Sequence, residues 1–275
     1  MVTITKSSLS SRHKPRPTDW TAFSLQASAD SGSNRVFSLI GGGGKTSLMY
    51  QWAAGLKSAG HTVVTTATTR LADEPREGIS ITRASSLADA VHQLKRPFNS
   101  NTIATLISDQ KSEPGKLTGI SPEWIDQLSQ LFPFTFFLVE ADGSAGRSLK
   151  GHLAHEPVIP SCSSLVIPVI GIDAIGKRIS EVIVHHLEQF CRITGTAAGE
   201  SIDEAMIVKA LFSLGGYLHN TPATATIVPY INKIETLAQC KTAKKLSELI
   251  FAGAPPQMAG VLAGSIFNNY LVLLQ

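Results

Sequence analysis

Leu39-Ile40-Gly41-Gly42-Gly43-Gly44-Lys45-Thr46-Ser47 follows a short apolar run (36–40) and opens a stretch with helical character (45–59). Strand, glycine loop and helix, in that order, are the setting in which a backbone wraps a phosphate. Glycines let the chain approach the anion and turn successive N–H groups inward. The helix N-terminus adds partial positive charge. Lys45 is then placed to reach the β- and γ-phosphates, and the Thr46 hydroxyl to coordinate Mg²⁺. Gly41, Gly42, Gly43, Gly44, Lys45, Thr46 and Ser47 are therefore the candidate phosphate-binding residues, and Mg²⁺ with ATP or GTP the implied cofactors. A bare turn of four glycines would cost backbone entropy and return nothing.

The loop is shorter than the common G-x-x-x-x-G-K-[ST] pattern, because Leu39 stands six residues before Lys45 where a glycine belongs. The shorter form resembles the G-x-x-G-K-[ST] loops of Mur-type ligases and of some metallochaperone-like NTPases. Ile40 occupies the site of the latter's extra signature lysine.

Outward from the loop, apolar runs alternate with helical stretches. Strands are predicted at 36–40, 62–66, 102–107, 134–139, 165–170, 225–232 and 260–266, the last taken as the final strand. Helices are predicted at 45–59, 87–94, 122–131, 181–193, 204–214 and 238–251. Continuous rather than alternating apolar runs mark strands buried on both faces. The predicted fold is α/β and P-loop NTPase-like, a mostly parallel sheet with helices on both faces. Residues 1–33, rich in Ser, Thr, Arg and Pro, read as a flexible basic tail, and 34–275 as one domain.

A second group sits where ligands bind such sheets, at the carboxyl end of a strand. Phe136-Phe137-Leu138-Val139-Glu140-Ala141-Asp142-Gly143 is an apolar strand closed by two carboxylates. Residues i and i+2 of a strand share a face, so Glu140 and Asp142 are candidate catalytic groups together with Lys45. Asp142, with Thr46, is the expected Mg²⁺ ligand. Arg147, Lys150 and His155 follow as a candidate anion-binding loop. His152 and His155 have i, i+3 spacing, but Gly151 and Pro157 argue for a loop rather than a helix presenting a metal site. The run Asn232-Lys233-Ile234-Glu235 follows a strand, as the guanine-reading N-K-x-D of GTPases does. Glu235 stands for the aspartate and is one methylene longer, so ATP and GTP both remain open.

Composition bounds the rest. With 43% apolar and 16% charged residues over 275 positions, the chain reads as globular. No apolar run approaches the roughly 18 residues of a membrane span, and the first 30 residues hold no secretory core, so the cytoplasm is the expected compartment. Cys162, Cys191 and Cys240 form no CxxC pair and read as reduced thiols. The net charge of +3 resides within residues 1–20, so the body carries no sign of a nucleic-acid groove.

Several segments together resemble one family, the YqeC-type selenium-dependent hydroxylase accessory proteins. They are the glycine loop, Thr65-Thr66-Ala67-Thr68-Thr69, Lys116-Leu117-Thr118-Gly119 and Val139-Glu140-Ala141-Asp142-Gly143. Arg147 with Lys150, His155-Glu156-Pro157-Val158-Ile159-Pro160, the run Gly171 to Lys177 and Asn232-Lys233-Ile234-Glu235 complete the set, in family order. Ser148, His152, Ala67, His186, Leu187 and Glu235 depart from the family pattern. The resemblance implies an accessory role in selenium cofactor biosynthesis and in maturation of selenium-dependent molybdenum hydroxylases. A molybdenum hydroxylase or another cofactor-maturation protein is then the implied partner. Two expectations follow: a Mg²⁺-dependent NTP hydrolase or phosphoryl transferase, or a nucleotide-gated binding module, a GTPase-type metallochaperone among its forms. The oligomeric state stays open, a homodimer included.

Overall fold

A computed structural model describes residues 16–30, 34–96 and 102–274. Strands are β1 (Arg16–Thr18), β2 (Val36–Gly41), β3 (Val63–Ala67), β4 (Arg70–Ala72), β5 (Ile79–Ala84), β6 (Ile103–Ser108), β7 (Lys116–Thr118) and β8 (Phe136–Glu140). They continue with β9 (Leu149–Lys150), β10 (Leu165–Gly171), β11 (Val184–His185), β12 (Thr226–Ile227), β13 (Tyr230–Asn232), β14 (Val261–Ser265) and β15 (Tyr270–Leu274). Helices are α1 (Trp20–Asp30), α2 (Lys45–Ser58), α3 (Leu87–Lys95), α4 (Pro122–Leu131), α5 (Leu187–Thr194), α6 (Glu204–Phe212) and α7 (Leu237–Ala252).

The main sheet runs β1-β15-β14-β13-β10-β2-β8-β3-β6-β5, with β12 also on β10. Every pair from β14 to β5 is parallel, and β15 and β1 close one edge antiparallel. This is the predicted α/β architecture. Strand β2 lies between β10 and β8, so the glycine loop and the Glu140 strand end side by side.

Alternate residues of β2 feed opposite faces, as the pleat requires. Phe37 and Leu39 join Leu48, Trp52 and Leu56 of α2, while Val36 and Ile40 face the layer of α3 to α7. Trp52 stacks on Phe37 with centroids 5.4 Å apart, and Trp20 of α1 lies 4.9 Å from Trp52. Truncating a buried Trp of this kind costs about 3–5 kcal/mol.

Four expectations are corrected. Residues 16–30, within the expected flexible tail, form β1 on the sheet edge and α1 against α2, because Trp20 and Phe23 have an apolar face to cover. The expected helix 181–193 begins only at Leu187: Val184–His185 pairs with β9, and His186 has φ 53, which no helix interior accepts. The expected strand 225–232 is split into β12 and β13, separated by Val228 and Pro229; proline brings no N–H to a ladder. The expected last strand is followed by β15, which turns back on β14. The other tail residues, 1–15 and 31–33, lie outside the described residues. Among the described residues no helix is long and apolar enough to cross a membrane.

Candidate functional site

The glycine loop is walled on three sides. A Cβ on Gly43 would fall 2.3 Å from the Gly171 N, and one on Gly42 would fall 2.9 Å from the Arg147 O. One on Gly41 would meet the Tyr217 ring at 2.4 Å. Gly41, Gly43 and Gly44 also have φ of 90, 83 and 111, where L side chains are strained. The Gly42 N–H donates to the Val169 O (3.0 Å) and the Gly43 N–H to the Arg147 O (2.8 Å). The N–H groups left for an anion are those at the start of α2, which have no partner within the helix.

Lys45 and Thr46 leave this loop toward the two carboxylates of β8. Thr46 Oγ1 donates to Glu140 Oε2 at 2.7 Å. Lys45 Nζ lies 3.0 Å from Asp142 Oδ1, with both side chains essentially inaccessible, and also donates to Ser144 Oγ at 3.1 Å and to the Gly41 O. Asp142 Oδ2 accepts from the Gly41 N–H at 2.8 Å, meets His152 Nε2 at 2.6 Å and stands 4.0 Å from Lys150 Nζ. Burial works against the Asp142 charge, but Lys45, Lys150 and His152 outweigh it and hold the carboxyl well below the ordinary range. Burial wins at Glu140 and pushes its carboxyl up, partly offset by Lys45 and the Thr46 hydroxyl. Asp142 was expected to share Mg²⁺ with Thr46, but the carboxylate that meets the Thr46 hydroxyl is Glu140. Asp142 is fully enclosed and belongs to the lysine network, whereas Glu140 lines the cleft.

That cleft, about 1200 Å³, runs from Gly44–Ser47 past Glu140 to two further walls. One is the two-stranded antiparallel sheet of β4 and β7 with Thr69, Arg70 and Lys116; the other carries Arg147, His155, His185 and Lys233. The candidate anion-binding loop divides. His155 is exposed on the cleft, and Arg147 lines it while donating to the Glu181 O (2.9 Å) and Ala145 O (2.7 Å). Lys150 is turned inward: it is fully buried and pairs with Glu156 Oε1 at 2.8 Å and with the Gly143 O. A fully buried, paired ammonium is not presented to a ligand, so Lys150 is corrected to a structural role. His152 is likewise buried, with Nδ1 unpartnered, and points away from the His155 role. Among the described residues no group of three His, Cys, Asp or Glu gathers to hold a metal.

Asn232 and Lys233 are brought to the loop. Asn232 Nδ2 donates to the Gly43 O at 2.7 Å, and its Oδ1 accepts from the Ile266 N–H at 3.2 Å. Lys233, at φ 66, donates to Ser148 Oγ at 2.8 Å and pairs with Asp173 at 3.3 Å. Burial opposes the Asp173 charge, but Ser148 and Lys233 draw its carboxyl below the usual range. Glu235 is exposed, and its N–H donates to Gln239 Oε1 beside the capping box that opens α7.

One participant, Tyr217, was missed from sequence, and the roles of Glu156 and His185 emerge only in the fold. Tyr217 packs under Gly41, accepts from the Lys150 N–H at 2.9 Å and sits edge-on to His152 at 4.9 Å. Glu156 takes the charge of Lys150 and lies 3.7 Å from His186. Burial, then the neighbouring His186 and Lys150, drives His185 down to about 4. Glu156 lies in the His-Glu-Pro run and His185 in an adjacent histidine pair, both visible in sequence; Tyr217 offered no signal.

The profile of the family described as "YqeC protein" matches residues 37–188. A protein of Escherichia coli (strain K12) described as "Uncharacterized protein YqeC" is 34% identical over 216 residues, covering 78% of this chain and 81% of that one. Among solved structures, HypB from Helicobacter pylori in complex with nickel is similar at a TM-score of 0.37 and 10% identity, over 88% of this chain and 86% of that one.

Proposed function

The chain belongs to the YqeC protein family, and from that premise we propose that it is a Mg²⁺-dependent nucleoside-triphosphate-binding protein with NTPase or phosphoryl-transfer activity. One observation carries the reading: Lys45 and Thr46, at the start of α2, meet Asp142 and Glu140 at the end of the adjacent strand. The donor set fits Mg²⁺. Thr46 and Glu140 offer two hard oxygens already 2.7 Å apart, and the buried Glu140 carboxyl gains most from a cation beside it. A bound Mg²⁺ supplies charge neutralisation at the β- and γ-phosphate oxygens. The chain's own part is positioning. The α2 amides hold the phosphates, and Lys45 meets the charge that develops as the γ-phosphoryl group leaves. Asp142 acts through Lys45 and not on the ligand. Binding and turnover of ATP and GTP with Mg²⁺, on wild type and Lys45→Ala, tests this; a Lys45→Ala protein as active as wild type would sink it.

A nucleotide-gated module is favoured by a specific observation. Lys45 is held by Asp142, whose network reaches Lys150, His152 and Glu156 in the 143–160 loop. Phosphate drawing Lys45 away loosens that loop. Equal capture of a partner with and without nucleotide would count against gating. The accessory role in maturing selenium-dependent molybdenum hydroxylases is the finer part of the proposal. It is supported by family resemblance, with no selenium chemistry in the site itself. Hydroxylase activity in cells carrying only Lys45→Ala, undiminished from wild type, would count against it.

A further inference from the structure

We propose that Phe267 is a stacking shelf for the nucleobase; this rests on the phosphate reading above and adds the part of the ligand that it leaves unplaced. Phe267 is 88% exposed. Exposure alone is ordinary for a single apolar side chain, and Phe134 and Leu214 are comparably bare; what sets Phe267 apart is where it stands. β14 is parallel to β13, so the 266–269 turn that follows β14 lies at the same end of the sheet as the glycine loop.

The turn is built into the site rather than hanging from it. The Ile266 N–H donates to Asn232 Oδ1 (3.2 Å), and Asn232 Nδ2 donates to the Gly43 O (2.7 Å). A Cβ on Gly44 would lie 3.9 Å from Ile266 Cδ1. Gln51, one turn beyond Ser47 on α2, donates to Asn269 Oδ1 at 2.7 Å. The Asn269 N–H donates to the Ile266 O at 3.2 Å and the Asn268 N–H to Ser265 Oγ at 3.2 Å, so the turn is hydrogen-bonded within itself.

The direction of the ligand decides between the two sides of the loop. Lys45, Thr46 and Glu140 fix the γ-phosphate end on the β8 side. A triphosphate laid along the first turn of α2 then leaves toward β10, β13 and β14, the opposite flank of β2. On that flank stand Asn232, Lys233 and the 266–269 turn. Every base presents a π-face, so an aromatic shelf binds adenine and guanine alike and leaves the choice to edge contacts.

The test measures binding of Mg²⁺-ATP, Mg²⁺-GTP and Mg²⁺-tripolyphosphate by calorimetry on wild type, Phe267→Ala, Phe267→Trp and Lys45→Ala. Phe267→Ala should weaken both nucleotides by about ten-fold or more and leave tripolyphosphate unchanged, and Phe267→Trp should retain nucleotide affinity. Lys45→Ala should lose all three. Wild-type nucleotide affinity in Phe267→Ala, with loss in Lys45→Ala, overturns the shelf and leaves the phosphate site standing. Equal weakening of tripolyphosphate by Phe267→Ala also overturns it, because the turn would then act through the loop. Wild type that binds none of the three brings down both.

Discussion

Replacing Asp142 by Asn removes one charge from a closed network and keeps its shape. In the folded protein Lys45 Nζ is 3.0 Å from Asp142 Oδ1, and both side chains are within 1% of full burial. Removing one partner of a buried ion pair costs about 3–5 kcal/mol, because the other charge is left uncompensated. Here the low end applies. Lys45 keeps its bonds to Ser144 and Gly41, and Lys150 keeps Glu156. At about 2.1 cal/mol/K of unfolding entropy per residue, about 3 kcal/mol spread over 275 residues lowers Tm by about 5 °C. The assay is thermal unfolding at pH 7 without nucleotide, on wild type, Asp142→Asn, Lys45→Met and the double variant. The double variant should lose less than the two single losses together, by about 1–3 kcal/mol. Asp142→Asn melting with wild type, or strictly additive losses, would refute the network. Acid acts on the same group. Its folded pKa is depressed, so its contribution is complete above the ordinary value near 3.8 and is lost as pH falls from there toward the depressed value.

Glu140 works with the opposite sign: its raised pKa means stability is lost as pH climbs from the ordinary 4.5 through the folded value. Glu140→Gln should therefore raise the nucleotide-free Tm at pH 7, by about 1 kcal/mol of stability, while abolishing the extra stabilisation by Mg²⁺-nucleotide; melting curves with and without ligand check both halves. His185 is lowered from 6.5 to about 4, so unfolding takes up its proton first and stability falls as pH drops from 6.5 to 4. His185→Gln should flatten Tm against pH in that window, and the ring resonances of wild type should titrate near 4. Gly43→Ala meets Gly171 at 2.3 Å and a φ of 83; it should cost about 1–3 kcal/mol and abolish nucleotide binding measured by calorimetry.

The centre of the fold was legible because it is locally over-determined. β2, β8 and β10 are fully buried, so their apolar runs are continuous, and the glycine loop sits between a strand and a helix that each announce themselves. The edges were not legible. β5 alternates Ile79, Ile81 and Arg83 with small polar residues and is largely uncovered, so it has no apolar run. β15 is apolar but too close behind β14 to separate without knowing the turn. At the site, sequence placed Glu140 and Asp142 together but not their division of labour. That division depends on which carboxylate the α2 side chains meet, and on Lys150, His152 and Tyr217 arriving from elsewhere. Lys150 reads as a solvent-facing cation in sequence; only the position of Glu156 reveals that it points inward.

The walls of the glycine loop have a consequence for the order in which the molecule comes into being. Gly41–Lys45 emerge early from the ribosome, but they are enclosed by Arg147, Gly171, Tyr217 and Asn232 and braced by Ile266. At about 5–20 residues per second, some ten to forty-five seconds separate synthesis of the loop from arrival of its last support. Throughout that interval the glycine loop exists as sequence without a cradle. The nucleotide affinity proposed for this loop is then expected only of the finished chain, and a nascent or C-terminally clipped product carrying the whole Lys45 motif should not bind nucleotide.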